Sequence, residues 1–286
     1  MKIRDIVAPI EEFAPLALQE PYDNCGLVVG HPDTEVAGAV LCVDVTEEIL
    51  DEAIALGAGL IIAHHPIIFH PLHSIGGGGH VDRVVVKAIR SGIAIYAAHT
   101  NLDCAQGGMS HRLARQLGLT DVETLDPTGG GMGFGMGGNA PNGAGGSNAT
   151  DNATGGGTGF GAIGNLPEPV DPLDFLRSVA RTLGTGCIRH TTPPTEKVRR
   201  VALSTGAGSE GLERAVERGA DIFLTADVRY DRFFAAEGWI LLADVGHFES
   251  EFCAIDLIHD VISKKIANFA LHKSVCARNP VNYLTH

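Results

Sequence analysis

Five side chains in this sequence have the types and spacing of metal chemistry. His64 and His65 are adjacent and follow an apolar run, Gly59 to Ala63, that stops on Pro66. Asp103 closes a second apolar run, Ile93 to Asp103, which also carries His99. His247 and Glu251 are four residues apart at the expected start of a helix, where side chains at i and i+4 share one face and can hold one ion. Imidazole and carboxylate donors together suit zinc, manganese, iron or cobalt. Five donors exceed what one tetrahedral catalytic ion needs, so the set fits two divalent ions with a bridging carboxylate and open positions for water. Each motif has a blander reading taken singly. Adjacent residues in an extended chain point to opposite faces, so one histidine of the pair could be core and the other exposed. An acidic residue in a first helical turn is also favoured by the helix dipole.

The elements that must position these residues follow an α/β rhythm. Apolar runs of strand length alternate with helical patterns: strand Ala39 to Asp44, helix Thr46 to Leu56 with Thr46 as N-cap, the strand ending at His64-His65, helix Val81 to Ser91, and strand Ile93 to Asp103. A buried parallel strand presents its carboxyl edge to ligands in open α/β sheets. Before this unit, Arg4 to Glu20 predicts one or two short helices interrupted by Pro9 and Pro15. Asp23-Asn24 reads as a turn, since both side chains bond their own backbone. After a helix from Ser110 to Leu117, residues 128 to 161 are rich in glycine, asparagine and small residues and are expected to form a mobile linker or insertion. The rhythm then repeats: helix Pro172 to Leu183, strand Val198 to Ser204, helix Glu210 to Arg218, strand Asp221 to Thr225, helix Asp231 to Glu237, strand Trp239 to Val245, the helix after His247, and a last strand within Phe269 to Leu284. The expectation is two α/β halves of similar order, 1–127 and 162–286.

Bulk properties narrow the function classes. The chain has 286 residues, 44% hydrophobic and 19% charged, an ordinary globular composition. A net charge of -13, with no basic stripe, argues against nucleic acid as partner. No apolar run approaches a membrane span and the start lacks a signal-peptide core, so no membrane partner and a cytoplasmic location are expected. Six cysteines without a C-x-x-C pair suggest neither a zinc ribbon nor a disulfide framework. There is no P-loop, and Gly206-Ala-Gly208 is too short to count as a phosphate cradle.

Four motifs in order, D-N-x-G-L at Asp23 to Leu27, H-H-P at His64 to Pro66, H-T-N-L-D at His99 to Asp103 and G-H-x-x-S-E at Gly246 to Glu251, give the chain a resemblance to the NIF3-like dinuclear metal centre family, whose members carry the name GTP cyclohydrolase 1 type 2. The resemblance implies two similar α/β domains with mixed sheets, a metal site between them, and a homohexamer built as a trimer of dimers. It implies metal ligands at His64, His65, Asp103, His247 and Glu251, and a metal-dependent hydrolase in which activated water attacks a nucleotide-like small molecule, GTP by the family's name. Asp23, Asn24 and Asp44 coincide with family motif positions without an assigned role. His99 is expected to act as a nearby acid/base or to orient a ligand. Asp231 stands where relatives often carry histidine, which questions one substrate-facing group. A non-enzymatic metal-binding or regulatory protein, and a metallophosphatase, are the rival readings.

Overall fold

The computed structural model describes residues 1–76, 78–127 and 157–284. Most of the expected Gly-rich linker therefore lies outside the described residues. Its last two positions, Phe160 and Gly161, already belong to a strand.

The first part runs α1 (Ile3–Phe13), β1 (Gly26–Val29), β2 (Gly38–Cys42), α2 (Glu47–Leu56), β3 (Leu60–Ala63), α3 (His80–Ser91), β4 (Ala94–Ala97), α4 (Thr100–Cys104), α5 (Met109–Gln116) and β5 (Thr120–Asp126). The second runs β6 (Phe160–Val170), α6 (Pro172–Leu183), β7 (Arg189–His190), β8 (Val198–Leu203), α7 (Leu212–Glu217), β9 (Ile222–Thr225), α8 (Tyr230–Ala236), β10 (Leu241–Asp244), α9 (His247–Glu251), α10 (Cys253–Lys265) and β11 (Ala270–Lys273). Several boundaries are set by caps visible in the sequence. Thr46 Oγ1 accepts from the Ile49 amide at the start of α2, and Asp171 accepts from the Leu173 and Asp174 amides at the start of α6.

Two mixed sheets result. One has the order β1-β4-β3-β2-β11, with β4, β3, β2 and β11 parallel and β1 antiparallel to β4. The other has the order β5-β6-β8-β9-β10-β7, with β8, β9 and β10 parallel and the remaining pairs antiparallel. Alternation along β3 shows how the first sheet is covered: Leu60 and Ile62 join the main core cluster, Ile61 and Ala63 the cluster under α2 and α3. Sheet membership crosses the midpoint of the chain. β5 pairs with β6 of the second sheet, and β11 returns to lie beside β2 of the first.

Four local expectations are corrected. Pro9 sits inside α1 without ending it. The strand expected over 93–103 stops at Ala97, because Asn101 captures the chain: its Oδ1 accepts the His99 amide (3.0 Å) and its Nδ2 donates to Ala14 O (2.7 Å), so Thr100–Cys104 turns into a helix. Strands β5 and β6, which lack clean alternation in sequence, were not anticipated. The last strand is only Ala270–Lys273, after which Glu52 accepts from Ser274 Oγ and the Val275 amide.

The consequence for function lies at the carboxyl ends of the parallel strands. Asp44 follows β2, His64-His65 follow β3, His99 follows β4, Thr205 follows β8, Asp227 follows β9 and His247 follows β10, each within three residues of its strand. The two parallel units bring these ends to one cleft.

Candidate metal centre

His64 and His65 leave β3 differently from two residues of a regular strand. Their amides bond consecutive carbonyls where β2 ends, His64 N to Cys42 O (3.1 Å) in its last residue and His65 N to Val43 O (2.9 Å) just beyond it. Strand alternation therefore no longer separates them, and their rings lie 5.0 Å apart at centroid. His64 is fully buried, while the His65 side chain keeps 24% of its exposure.

Every histidine of the cleft is held at Nδ1 by an oxygen. His64 Nδ1 donates to Ala98 O (2.8 Å), His65 Nδ1 to Asp44 Oδ1 (2.7 Å), His99 Nδ1 to Asp23 Oδ1 (2.9 Å) and His247 Nδ1 to Asp227 Oδ2 (2.7 Å). A carbonyl or carboxylate only accepts, so the proton is on Nδ1 and the Nε2 atoms are left for the cleft, the arrangement that orients metal-ligating histidines. Glu251, buried on α9, faces three of them: its carboxylate lies 3.6 Å from His64 Nε2, 2.9 Å from His65 Nε2 and 3.0 Å from His247 Nε2. His65 and His247 bring their Nε2 atoms within 3.3 Å of each other across the cleft.

Two triads of donor atoms lie within 4.8 Å of one another: His64, His65 and His99, and His65, His247 and Glu251. The structure thus brings together His64, His65, His247 and Glu251 as the sequence suggested, and adds His99. Asp103 lines the same cleft but stands outside both triads, accepting from Thr205 Oγ1 at 3.4 Å.

The electrostatics are those of a cage built for cations. Burial opposes charge on His65, but its hydrogen bonds to Asp44 and Glu251 outweigh it and raise the imidazolium pKa to about 10. Burial likewise opposes charge on His247, and Asp227 and Glu251 raise it to about 11. Burial pushes Glu251 up, yet the surrounding histidines win and hold it well below the usual carboxylate range. Asp103 moves the other way: burial, with Glu251 nearby, raises its carboxyl despite the pull of His64.

The donors present fit divalent ions on two observations. His64 Nε2 is fully buried with its nearest acceptor, Glu251 Oε1, 3.6 Å away, and a buried polar atom left without a hydrogen bond is costly. Gly206 also leaves room that no other residue could: at φ +61°, a Cβ there would meet Glu251 Oε1 at 2.0 Å.

The roles of three residues escaped the sequence reading, which noted Asp23 only as a turn and family motif position and Asp44 only as a family motif position, and did not single out Asp227. Asp44 and Asp227 are the carboxylates behind His65 and His247; a carboxylate just past an apolar strand was the available signal for both. Asp227 adopts φ +52°, an unusual conformation for a residue with a side chain. Asp23 is more than a turn residue: its carboxylate does take the Asn24 amide (2.7 Å), but it also accepts from His99 Nδ1, the Thr100 amide (3.0 Å) and Thr100 Oγ1. Asp231, by contrast, is exposed on α8, pairs with Arg229 and does not line the cleft.

Fold and site together define a mixed α/β protein whose facing parallel units enclose a histidine–glutamate cluster of metal-binding type. The chain belongs to the Duf34/NIF3 (NGG1p interacting factor 3) family, whose model matches residues 1–280. A protein of Lactococcus lactis named GTP cyclohydrolase 1 type 2 homolog is 30% identical over 287 residues, 98% of each chain. One of the same name from a Nostoc species is 32% identical, covering 95% of this chain and 94% of its own. Among solved structures, a Bacillus cereus protein related to NIF3 is similar with a TM-score of 0.85 at 27% identity, covering 99% of both chains. No helix among the described residues is long and apolar enough to cross a membrane.

Proposed function

We propose that this protein is a dinuclear metal-dependent hydrolase acting on a nucleotide-like small molecule. The observation that carries the proposal is the common tautomer of His64, His65, His99 and His247, each held at Nδ1 so that Nε2 faces one cleft shared with Glu251. His64, His65, Asp103, His247 and Glu251 would hold two divalent ions of the zinc, manganese, iron or cobalt type. When bound, such ions supply Lewis-acid activation of water and stabilise developing negative charge.

The chain's own residues do the rest. Asp44 and Asp227 keep the His65 and His247 lone pairs aimed inward and raise their basicity as ligands. Asp23 fixes His99 with its Nε2 toward the cleft, where it can take a proton from water or return one to a leaving group. Pro66, Phe69 and Phe160 supply apolar walls that limit water in a cavity of about 340 Å³. The relatives' name makes GTP the first substrate to test. Assembly as a homohexamer, a trimer of dimers, and a cytoplasmic location complete the proposal.

The test is turnover of GTP and a panel of phosphorylated and heterocyclic metabolites by metal-loaded protein, with Asp103→Ala and Glu251→Ala alongside. Turnover that disappears in both variants supports the hydrolase. Turnover that survives both overturns it, and metal binding with no turnover on any substrate favours a non-enzymatic metal-binding protein.

A further inference from the structure

We propose that a groove on the side of α5 away from the metal cleft is a second binding site, for an organic anion with an apolar body and a phosphate, sulfonate or carboxylate head. The site stands apart from the metal-centre reading: no residue lines both cavities.

The first observation is the shape of the groove. Three helices form it: Phe13 ends α1, Arg112 and Arg115 lie on α5, and Val261, Lys264 and Lys265 lie on α10. Ser110 of α5 lines the metal cleft, and at ~100° per helical residue Arg112 is turned ~200° away from it, so one helix presents a face to each cavity. The groove encloses about 550 Å³, a size typical of small-molecule sites. Its floor is apolar. Phe13 and Val261 are half-buried, pack on the main core cluster and leave the rest of their surface to the groove.

The second observation is the charge around that floor. A chain with 34 acidic and only 21 basic side chains places four of the basic ones along this one groove. Two of them are neutralised by pairs that tie the helices together: Arg112 Nη1 with Asp260 Oδ2 (2.7 Å) and Lys265 Nζ with Glu12 Oε1 (3.2 Å). Glu12 and Asp260 are the carboxylates of the groove, and both are used. Arg115 and Lys264 are exposed and, among the described residues, have no hydrogen bond or ion pair, which leaves the groove with two positive charges. Both stand in the last turn of a helix, where the dipole favours a cation. The dipole gives no reason for unpaired cations from two helices to share one apolar cavity, whereas an anion bound between them does. The net charge of -13 repels anions at long range, but fields at physiological salt decay within about 8 Å, so the local pair decides capture. A guanidinium fork and an ammonium suit a phosphate, sulfonate or carboxylate head, and Phe13 with Val261 suits an alkyl or aryl body.

The experiment is calorimetric titration of the zinc-loaded protein with naphthalenesulfonate and with methanesulfonate, repeated on the double variant Arg115→Gln, Lys264→Gln, with Tm and zinc content measured for both proteins. A sulfonate is a poor ligand for divalent ions, so these probes read the groove rather than the metal cleft. The parent should bind naphthalenesulfonate at one site and methanesulfonate at least ~10-fold more weakly, because only the first has a body to bury on the floor. The double variant, which changes two exposed side chains, should keep its Tm and zinc content and bind naphthalenesulfonate ~10-fold more weakly, the order of two partly exposed charge contacts. No naphthalenesulfonate binding by the parent would overturn the inference, as would undiminished binding by the folded double variant or methanesulfonate binding as tight as that of the aryl probe. Neither probe is hydrolysed, so the outcome is independent of the hydrolase reading.

Discussion

Metal ions and protons must compete for the same nitrogens in this cleft, and the competition can be counted. His65 and His247 each place Nε2 against Glu251, at 2.9 and 3.0 Å, with a carboxylate behind Nδ1. Their imidazolium forms persist to about pH 10 and about pH 11 respectively. A divalent ion binds only the neutral ring, so loading expels these protons. Because the two Nε2 atoms stand 3.3 Å apart, the protons repel, and the pair should hold between one and two at pH 7.5. Apparent affinity should then rise by ~10- to ~100-fold per pH unit between pH 7 and 9 and level off above the imidazolium pKa values. Calorimetry in buffers of different ionisation enthalpy gives the proton count directly. Asp227→Asn removes the carboxylate that raises His247 and should lower both the count and the slope. The sign for stability is opposite. Histidine pKa values raised by folding stabilise the metal-free protein most below the unfolded value of about 6.5, and that contribution is lost as pH rises toward 10. The difference in Tm between loaded and metal-free protein should therefore widen with pH. Wild-type affinity independent of pH, with no protons released, would refute this account of the cage.

Two further substitutions separate the site from its scaffold. Gly206→Ala combines a left-handed backbone at φ +61° with a Cβ 2.0 Å from Glu251 Oε1; urea denaturation should show a loss of ~2–4 kcal/mol, with metal affinity falling as Glu251 is displaced. Ile62→Ala empties a fully buried position in β3 and should cost ~2–5 kcal/mol, yet the folded fraction should keep its full metal content.

The sequence carried the parallel units and their ligand-bearing ends because a fully buried strand declares itself as an apolar run, and Ile61, Ile62, Phe223 and Leu224 do so plainly. The spacing of His247 and Glu251 was readable for a similar reason, since a helix turns a four-residue interval into one face. What was not readable depends on contacts far apart in sequence. Asp23 reaches His99 across 76 positions, and Asn101 ends β4 early by bonding Ala14, 87 positions away. The place of β11 beside β2 is decided by pairing between the ends of the chain, which no local pattern encodes. Asp44 and Asp227 look like ordinary loop carboxylates until the rings they hold are in place.

The most direct test of the central claim is the metal content of carefully purified protein and of Glu251→Ala and His65→Ala, by mass spectrometry after equilibration with zinc, manganese, iron(II) or cobalt. The account predicts about two ions per chain in the parent protein and a clear loss in each variant, with circular dichroism showing the fold retained. No stoichiometric metal in the parent, or equal metal in folded variants, would contradict it.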